Sequence, residues 1–277
     1  MEQDLTTGSV FKRIVYFSLP YLLSYFLQTL YGMADLFITG QFYGVDTITA
    51  VSNGSQIMHM MTVIIVGLAM GTTVTIGHSV GAKCMEQAEK IIGNTITLFM
   101  GIAVAFTVIL VVLVKPIVVL IATPQEAVAG TSIYLLICFI GIPFITAYNI
   151  ISSIFRGLGD SKSPMYFIGI ACVMNSALDY LFMGAFHMGA AGAALGTVCA
   201  QTFSVLVALW VIRRRKTGIS LKKSDFKIET AVIGQVLKIG IPVALQDGFI
   251  QVAFMIITVI ANSRGVSDAA APAGSLI

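Results

Sequence analysis

Charge is scarce in this chain. Asp, Glu, Lys and Arg make up 10% of its 277 residues, against 57% hydrophobic residues and a mean hydropathy of +0.93. Soluble domains carry about 25% charged residues, so the composition excludes an ordinary soluble enzyme or nucleic-acid-binding module. Cysteine is also sparse. Cys84, Cys138, Cys172 and Cys199 have no metal or redox spacing, and three of them fall inside apolar runs, where cysteine is a small filler. Neither a disulfide nor a zinc site is expected. There is no His-Glu-x-x-His, Gly-x-Ser-x-Gly or Walker lysine motif, so an enzyme and a bound cofactor are not expected either. The segment Met1–Val10 lacks the basic start and cleavage site of a secretory signal, so the first apolar run is expected to be retained.

What the chain does have is length of apolar sequence. Runs near Ile14–Thr39, Ile48–Ile76, Ile91–Val114, Ala127–Phe155, Met165–Met183, Ala190–Ile212 and Val236–Ala261 each reach the roughly 20 residues that span a bilayer as a helix. They are continuous and show no period-two alternation, which argues for helices over barrel strands. The predicted fold class is an all-α membrane protein, a polytopic helical bundle. All but Lys115 and Arg264 of the 16 basic residues fall on one side of this arrangement. By the positive-inside rule the N-terminus and the run Arg213–Lys216 are expected in the cytoplasm, with the protein in the cell membrane. The basic residues are then topology anchors at lipid headgroups, and no nucleic-acid partner is expected.

The pattern restarts after the sixth run. Pro20 follows VFKRIVYFSL and Pro242 follows IGQVLKIGI, and each proline heads a span. Each span is followed by a Gly-Val pair (Gly44-Val45, Gly265-Val266) and a Gly-Ser pair (Gly54-Ser55, Gly274-Ser275). A repeat this long suggests two six-helix lobes of parallel topology. Residues 1–216 are read as a complete first lobe, 217–235 as a basic cytoplasmic linker, and 236–277 as the first helix and start of a second lobe. Because Leu276-Ile277 lies where an eighth helix should begin, the rest of that lobe is expected to be missing from this chain.

Two carboxylates stand out against the apolar background. Asp35 lies in the first span and Asp179 in the fifth, where an ionisable group costs several kcal/mol and is usually kept for ion or substrate handling. Tyr31 precedes Asp35 by one turn, Asn175 precedes Asp179 by one turn, and Thr197 on the sixth span falls near the same depth. Oxygen and amide groups of this kind could hold a proton or a hard cation such as Na⁺, with Asp35 and Asp179 as its carboxylates. The bland alternative is a static, neutral hydrogen-bonded network. Asn149 on the fourth span is a further polar candidate, although it lies about 10 Å from the inner end of its helix and so at a different depth.

The segment from Arg156 to Pro164 contains Gly-x-Gly, but no strand precedes it, so a nucleotide loop fails on context. It reads instead as a helix stop at its glycines, a cap at Ser163, Pro164 in the next first turn, and Asp160 paired locally with a base. The pairs Gly67/Gly71, Gly77/Gly81 and Gly192/Gly196 are small-residue faces suited to close helix packing. His59 and His78 read as structural or interfacial.

The stretches FRGLGDSKSP (Phe155–Pro164), TGQFYGVDTITAV (Thr39–Val51), IGHSVGAK (Ile76–Lys83) and GAAGAALGT (Gly189–Thr197) resemble multidrug and toxic compound extrusion (MATE) transporters. The resemblance runs along the whole chain. It implies a twelve-helix, two-lobe antiporter that expels drugs or organic cations in exchange for H⁺ or Na⁺. It also implies an ion-coupling site at Asp35, Asn175, Asp179 and Thr197, with Asn149 matching a family asparagine. Tyr31, Gln28, Gln251 and Asp247 are expected to face the substrate cavity. His78 stands where the family often has glutamine or arginine. Gln251 stands where many members carry a glutamate, with Asp247 one turn earlier. A lipid-linked sugar flippase of the same superfamily ranks lower, because the first six spans show no interior Lys or Arg. A lipid-embedded remnant that does not transport is the reading from another class.

Overall fold

The computed structural model describes residues 9–214 and 221–262, the last two by backbone alone. Its long helices are α1 (Val10–Phe42), α2 (Val45–Gly81), α3 (Met85–Leu120), α4 (Val128–Gly157), α5 (Lys162–Asp179), α6 (Gly189–Arg214) and α7 (Thr230–Asn262). α1, α2, α3, α6 and α7 run past both ends of the apolar stretches that announced them, whereas α4 starts one residue late and α5 stops at Asp179, short of the expected Met183. The expected Gly265-Val266 and Gly274-Ser275 pairs of the repeat lie outside the described residues.

Six helices, α2 to α7, are long and apolar enough to cross a membrane, so this is a multi-pass membrane protein. The seventh expected apolar span, α1, falls short of the others in apolarity. At 33 residues it is long enough, about 50 Å at 1.5 Å per residue. Ser18, Ser24, Gln28, Thr29 and Asp35 dilute it. That polarity has a structural use, because α1 faces a cavity on one side and the buried acids on the other.

Short connections fold α1 to α6 up and down. α2 and α4 form the centre, α3 and α6 pack on α4, and α1 lies chiefly along α5 rather than along α2, its neighbour in sequence. Three apolar clusters fill the bundle. One is built around Val51, Leu135, Phe139 and Ala193, another around Ile76, Ile91, Phe99 and Ile150, and the third around Phe155, Phe167 and Ala208 between α4, α5 and α6. Leu22, Val112, Val173 and Trp210 point outward and stay exposed. In lipid such residues need no covering, because acyl chains are as apolar as they are.

The glycines of α2 meet α7. A Cβ on Gly71 would sit 2.0 Å from the Val236 carbonyl oxygen, and one on Gly67 would sit 2.6 Å from the Ala244 Cα. Backbone contact this close is the small-residue packing expected of Gly67/Gly71. Gly77 and Gly81 do not repeat it, having ordinary contact and open space respectively.

A short strap anchors the start of α7. Residues Lys223–Phe226 form a single 3₁₀ turn against α3. Asn94 donates to the Asp225 carbonyl at 3.1 Å and accepts from the Glu229 amide at 2.7 Å. Thr97 donates to the Phe226 carbonyl at 3.0 Å. Within the expected linker 217–235 the turn Lys223–Phe226 is therefore held on α3, and α7 starts at Thr230 rather than at Val236.

The capping of α5 differs from expectation. Asp160, not Ser163, does the work: one carboxylate oxygen accepts from the amides of Lys162 (3.1 Å) and Ser163 (3.0 Å), and the other from the Ser163 hydroxyl (2.6 Å). An ionised carboxylate accepts more strongly than a neutral hydroxyl, and its second oxygen is left free to take the Ser163 hydroxyl as well.

Candidate functional site

Asp179 is the last residue of α5, and it is followed by a π-helical turn, Tyr180–Ala185. Such wide turns occur often at functional sites. This one frees the Met183 carbonyl, which accepts from the Tyr43 hydroxyl at 3.1 Å, while the same hydroxyl accepts from the Gly189 amide at 2.9 Å. The far end of α1 is thereby tied to the junction of α5 and α6. Tyr180 donates to Gln41 at 3.0 Å and meets Phe42 edge-on, with ring centroids 5.7 Å apart. Nothing in the apolar pattern of the sequence signals the π turn.

Asp35 and Asp179 are 3% and 0% exposed. Their carboxyl groups and the Asn175 amide are neighbours, close enough to interact. Thr197 donates to Asp35 Oδ2 at 3.3 Å, and the Tyr31 hydroxyl reaches the Thr197 carbonyl at 3.5 Å. Thr39, one turn beyond Asp35, donates to the Asp35 backbone carbonyl at 2.6 Å. The structure thus brings Asp35, Asn175, Asp179 and Thr197 together at the junction of α1, α5 and α6.

Asp179 reaches this position because α6 has no side chain at Gly196. A Cβ there would lie 2.0 Å from Asp179 Oδ1 and 3.5 Å from Asn175 Nδ2. The Gly192/Gly196 pair therefore does more than pack helices. Gly192 takes the backbone of Phe182, and Gly196 leaves room for the carboxylate.

Four buried oxygens of this cluster have no hydrogen-bond partner: Asp35 Oδ1, both carboxyl oxygens of Asp179, and Asn175 Oδ1. Orphaned buried oxygens are costly, and a hard cation or a proton would relieve them. An oxygen-only donor set fits Na⁺ chemically. Among the described residues no group of three or more His, Cys, Asp or Glu could hold a metal ion, so the candidate site has only its two carboxylates.

On the opposite face of α1 lies a cavity of about 1300 Å³, walled by α1, α2, α4 and α7 and closed at one end by the start of α5. Pockets for drug-sized molecules run to about 1,000 Å³, so this one exceeds a single tight-fitting site. Gln28, Asp247 and Gln251, expected at a substrate cavity, line it. His59 lines it as well, with its Nδ1 3.3 Å from Gln251 Oε1. Tyr31 does not. It sits one residue before Gly32 on a helix, and the 100° step between neighbours turns it toward α6 and the acids.

Asn149 also lines the cavity, and its amide donates to the Ile145 carbonyl at 2.8 Å. No hydrogen bond among the described residues ties it to Asp35 or Asp179. Its side of α4 faces α1 and α2, so the depth mismatch seen in the sequence corresponds to a separate location.

Arg156 corrects a second expectation. It is in the last turn of α4, and it lines the cavity with Tyr148 and Ser152. Its guanidinium donates to the Ser153 hydroxyl at 2.9 Å and lies 5.6 Å from the centre of the Tyr21 ring. The premise that the first six helices present no interior base does not hold. Side chains on a helix lean toward its N-terminus, which carries this one from the helix end back into the bundle.

The fold and the site define a polytopic helical membrane protein with paired buried acids beside a cavity. Residues 20–181 match the MatE family model, and the chain belongs to the MATE family. It is 34% identical over 263 residues to the probable multidrug resistance protein YpnP of Bacillus subtilis (strain 168), covering 95% of this chain and 58% of that protein. It is 27% identical over 276 residues to the probable multidrug resistance protein YoeA of the same strain, covering 97% of this chain and 60% of that one. Its fold is similar to that of a MOP superfamily transporter from Pyrococcus furiosus, with TM-score 0.86, 24% identity, and coverage of 96% of this chain and 59% of the other. The chain thus spans about three-fifths of the length of these relatives.

Proposed function

We propose that this chain supplies the ion-coupling lobe of a multidrug efflux antiporter that exchanges a drug or organic cation for H⁺ or Na⁺. The observation that carries the reading is the set of buried, partnerless carboxylate oxygens on Asp35 and Asp179, set behind the helix that walls the cavity. Ion entry satisfies those oxygens and changes how α1 packs on α5 and α6. The same helix presents Gln28, Gly32 and Met33 to the cavity, so a change on one face alters the drug site on the other. The two states need only differ in ion affinity for occupancy to choose between them.

Residues 1–216 form the proposed lobe, with 217–235 the linker and 236–277 the opening of a second lobe. The relatives are longer by about the length such a lobe needs, and alternating access requires both lobes. Transport is therefore proposed for the two-lobe protein in the cell membrane, with its N-terminus in the cytoplasm, and not for the 277 residues alone. The names of the B. subtilis relatives support a multidrug substrate range.

The test is ion-driven drug exchange in proteoliposomes by the two-lobe protein carrying Asp35→Asn, Asp179→Asn, or both. Each single change should abolish exchange, and the double should add little, because residues of one coupled site are not additive. Exchange at the parental rate by the double variant would remove these acids from the mechanism.

A further inference from the structure

The cavity holds two charges of opposite sign that do not meet. Arg156 stands at the end where the helices carry their basic residues, and Asp247 stands on α7. α2 provides a ruler between them. Thr73 on α2 donates to the Ser153 carbonyl at 3.1 Å, placing Arg156 near that level. Gly248, next to Asp247, faces Ile64 at 3.9 Å. Nine residues of α2 separate these levels, about 14 Å at 1.5 Å per residue. Among the described residues no carboxylate lies within salt-bridge reach of Arg156.

The guanidinium is also short of partners in a directed way. Tyr148, Ser152 and Arg156 follow one another at intervals of four residues, so they share the cavity face of α4. Arg156 Nε and the Ser152 hydroxyl are both buried and both lack a hydrogen-bond partner. These two donors, one of them cationic, sit on one wall within a turn of each other. A partly buried guanidinium without a counter-ion is costly. Arg156 also suits the α4 carbonyl end electrostatically, but that role does not use Nε or Ser152.

We propose that the cavity contains an anion subsite at Arg156 and Ser152, and that its preferred ligand is an elongated zwitterionic amphiphile. The anionic group docks at Arg156 and Ser152, an ammonium group lies toward Asp247, and the apolar body rests on the α1 and α2 walls. Gln251 and His59 line the same end as Asp247. The inference rests on the cavity's being the drug site, and it specifies the chemical class that site prefers.

The probe is radiolabelled 4′-(aminomethyl)biphenyl-4-carboxylate, bound to the purified chain in nanodiscs. It is compared with its methyl ester, which keeps only the ammonium, and its N-acetyl derivative, which keeps only the carboxylate. The zwitterion should bind about ten- to a hundredfold more tightly than the ester, as expected for a hydrogen bond to a charged group. Arg156→Gln should bring the two to equal affinity while leaving ester binding unchanged, and Arg156→Lys should retain part of the difference. The acetamide should bind more weakly than the zwitterion, and Asp247→Asn should remove that difference.

Equal binding of zwitterion and ester to the unaltered chain overturns the anion subsite. So does an Arg156→Gln variant that loses both ligands alike, which marks a structural arginine. Should that variant fail to fold, the ligand comparison on the unaltered chain and on Arg156→Lys decides the matter. Acetamide binding as tight as that of the zwitterion overturns the cationic pole. If none of the three ligands binds, the cavity of this chain is not a ligand site and the inference fails, whereas the coupling role of Asp35 and Asp179 is decided separately by exchange in the two-lobe protein.

Discussion

Gly196→Ala tests the ion site with one methyl group. The new Cβ would stand 2.0 Å from Asp179 Oδ1, where ordinary contact begins at 3.4 Å, so the carboxyl must retreat by about 1.4 Å. Overpacking typically costs about 1–3 kcal/mol, and replacing glycine by alanine inside a helix returns about 1 kcal/mol. The clash is with the far end of an Asp side chain, which can rotate, so the stability change should fall at the low end, about 0–1 kcal/mol. The ion site has less tolerance. Ligand distances hold to about 0.2 Å, and disturbing the groups that orient a ligand typically costs about 10–100-fold in affinity. Gly101→Ala is the control, since nothing lies within 4 Å of its added methyl. The assay is thermal unfolding of the purified chain, titrated with Na⁺ at fixed pH and with pH at fixed Na⁺. Whichever ion stabilises the parent should lose at least tenfold in half-maximal concentration in Gly196→Ala, and nothing in Gly101→Ala. A Gly196→Ala protein with the parent's ion response would show that the Asp179 carboxyl at Gly196 is no part of an ion site.

Two further perturbations probe the scaffold and its orientation. Asn94→Ala removes two of the three hydrogen bonds that hold the strap, and at about 0.5–1.5 kcal/mol each it should speed tryptic cleavage at Lys222–Lys227 several-fold. Unchanged cleavage would mean that the Asn94 bonds do not hold the strap, leaving Thr97 and α7 to do so. In a background without native cysteines, a cysteine at Lys222 should react only with reagents that reach the cytoplasm, and one at Asp46 only with external reagents. External labelling at Lys222 would reverse the orientation drawn from the basic residues.

The sequence by itself determined the class of this protein. Long apolar runs with little charge can satisfy their backbone in lipid only as helices, and a carboxylate in such a run is conspicuous wherever it folds. Asp35, Asn175, Asp179 and Thr197 were therefore legible as candidates, two of them as part of a one-turn pairing on a single helix. Which face each helix turns to which neighbour was not legible, because lipid and protein interior are equally apolar and leave the same mark on a sequence. Only the tertiary structure put Tyr31 with the acids and Asn149 on the cavity, although both had looked ambiguous along the chain. It also gave Gly196 its purpose, since the reason for that glycine is a side chain 17 positions away in sequence. The π turn after Asp179 and the inward lean of Arg156 depend on local backbone geometry that hydropathy does not encode. Burial without partners, the property that marks the candidate ion site and the Arg156 wall alike, belongs to contacts between helices and exists only once they have packed.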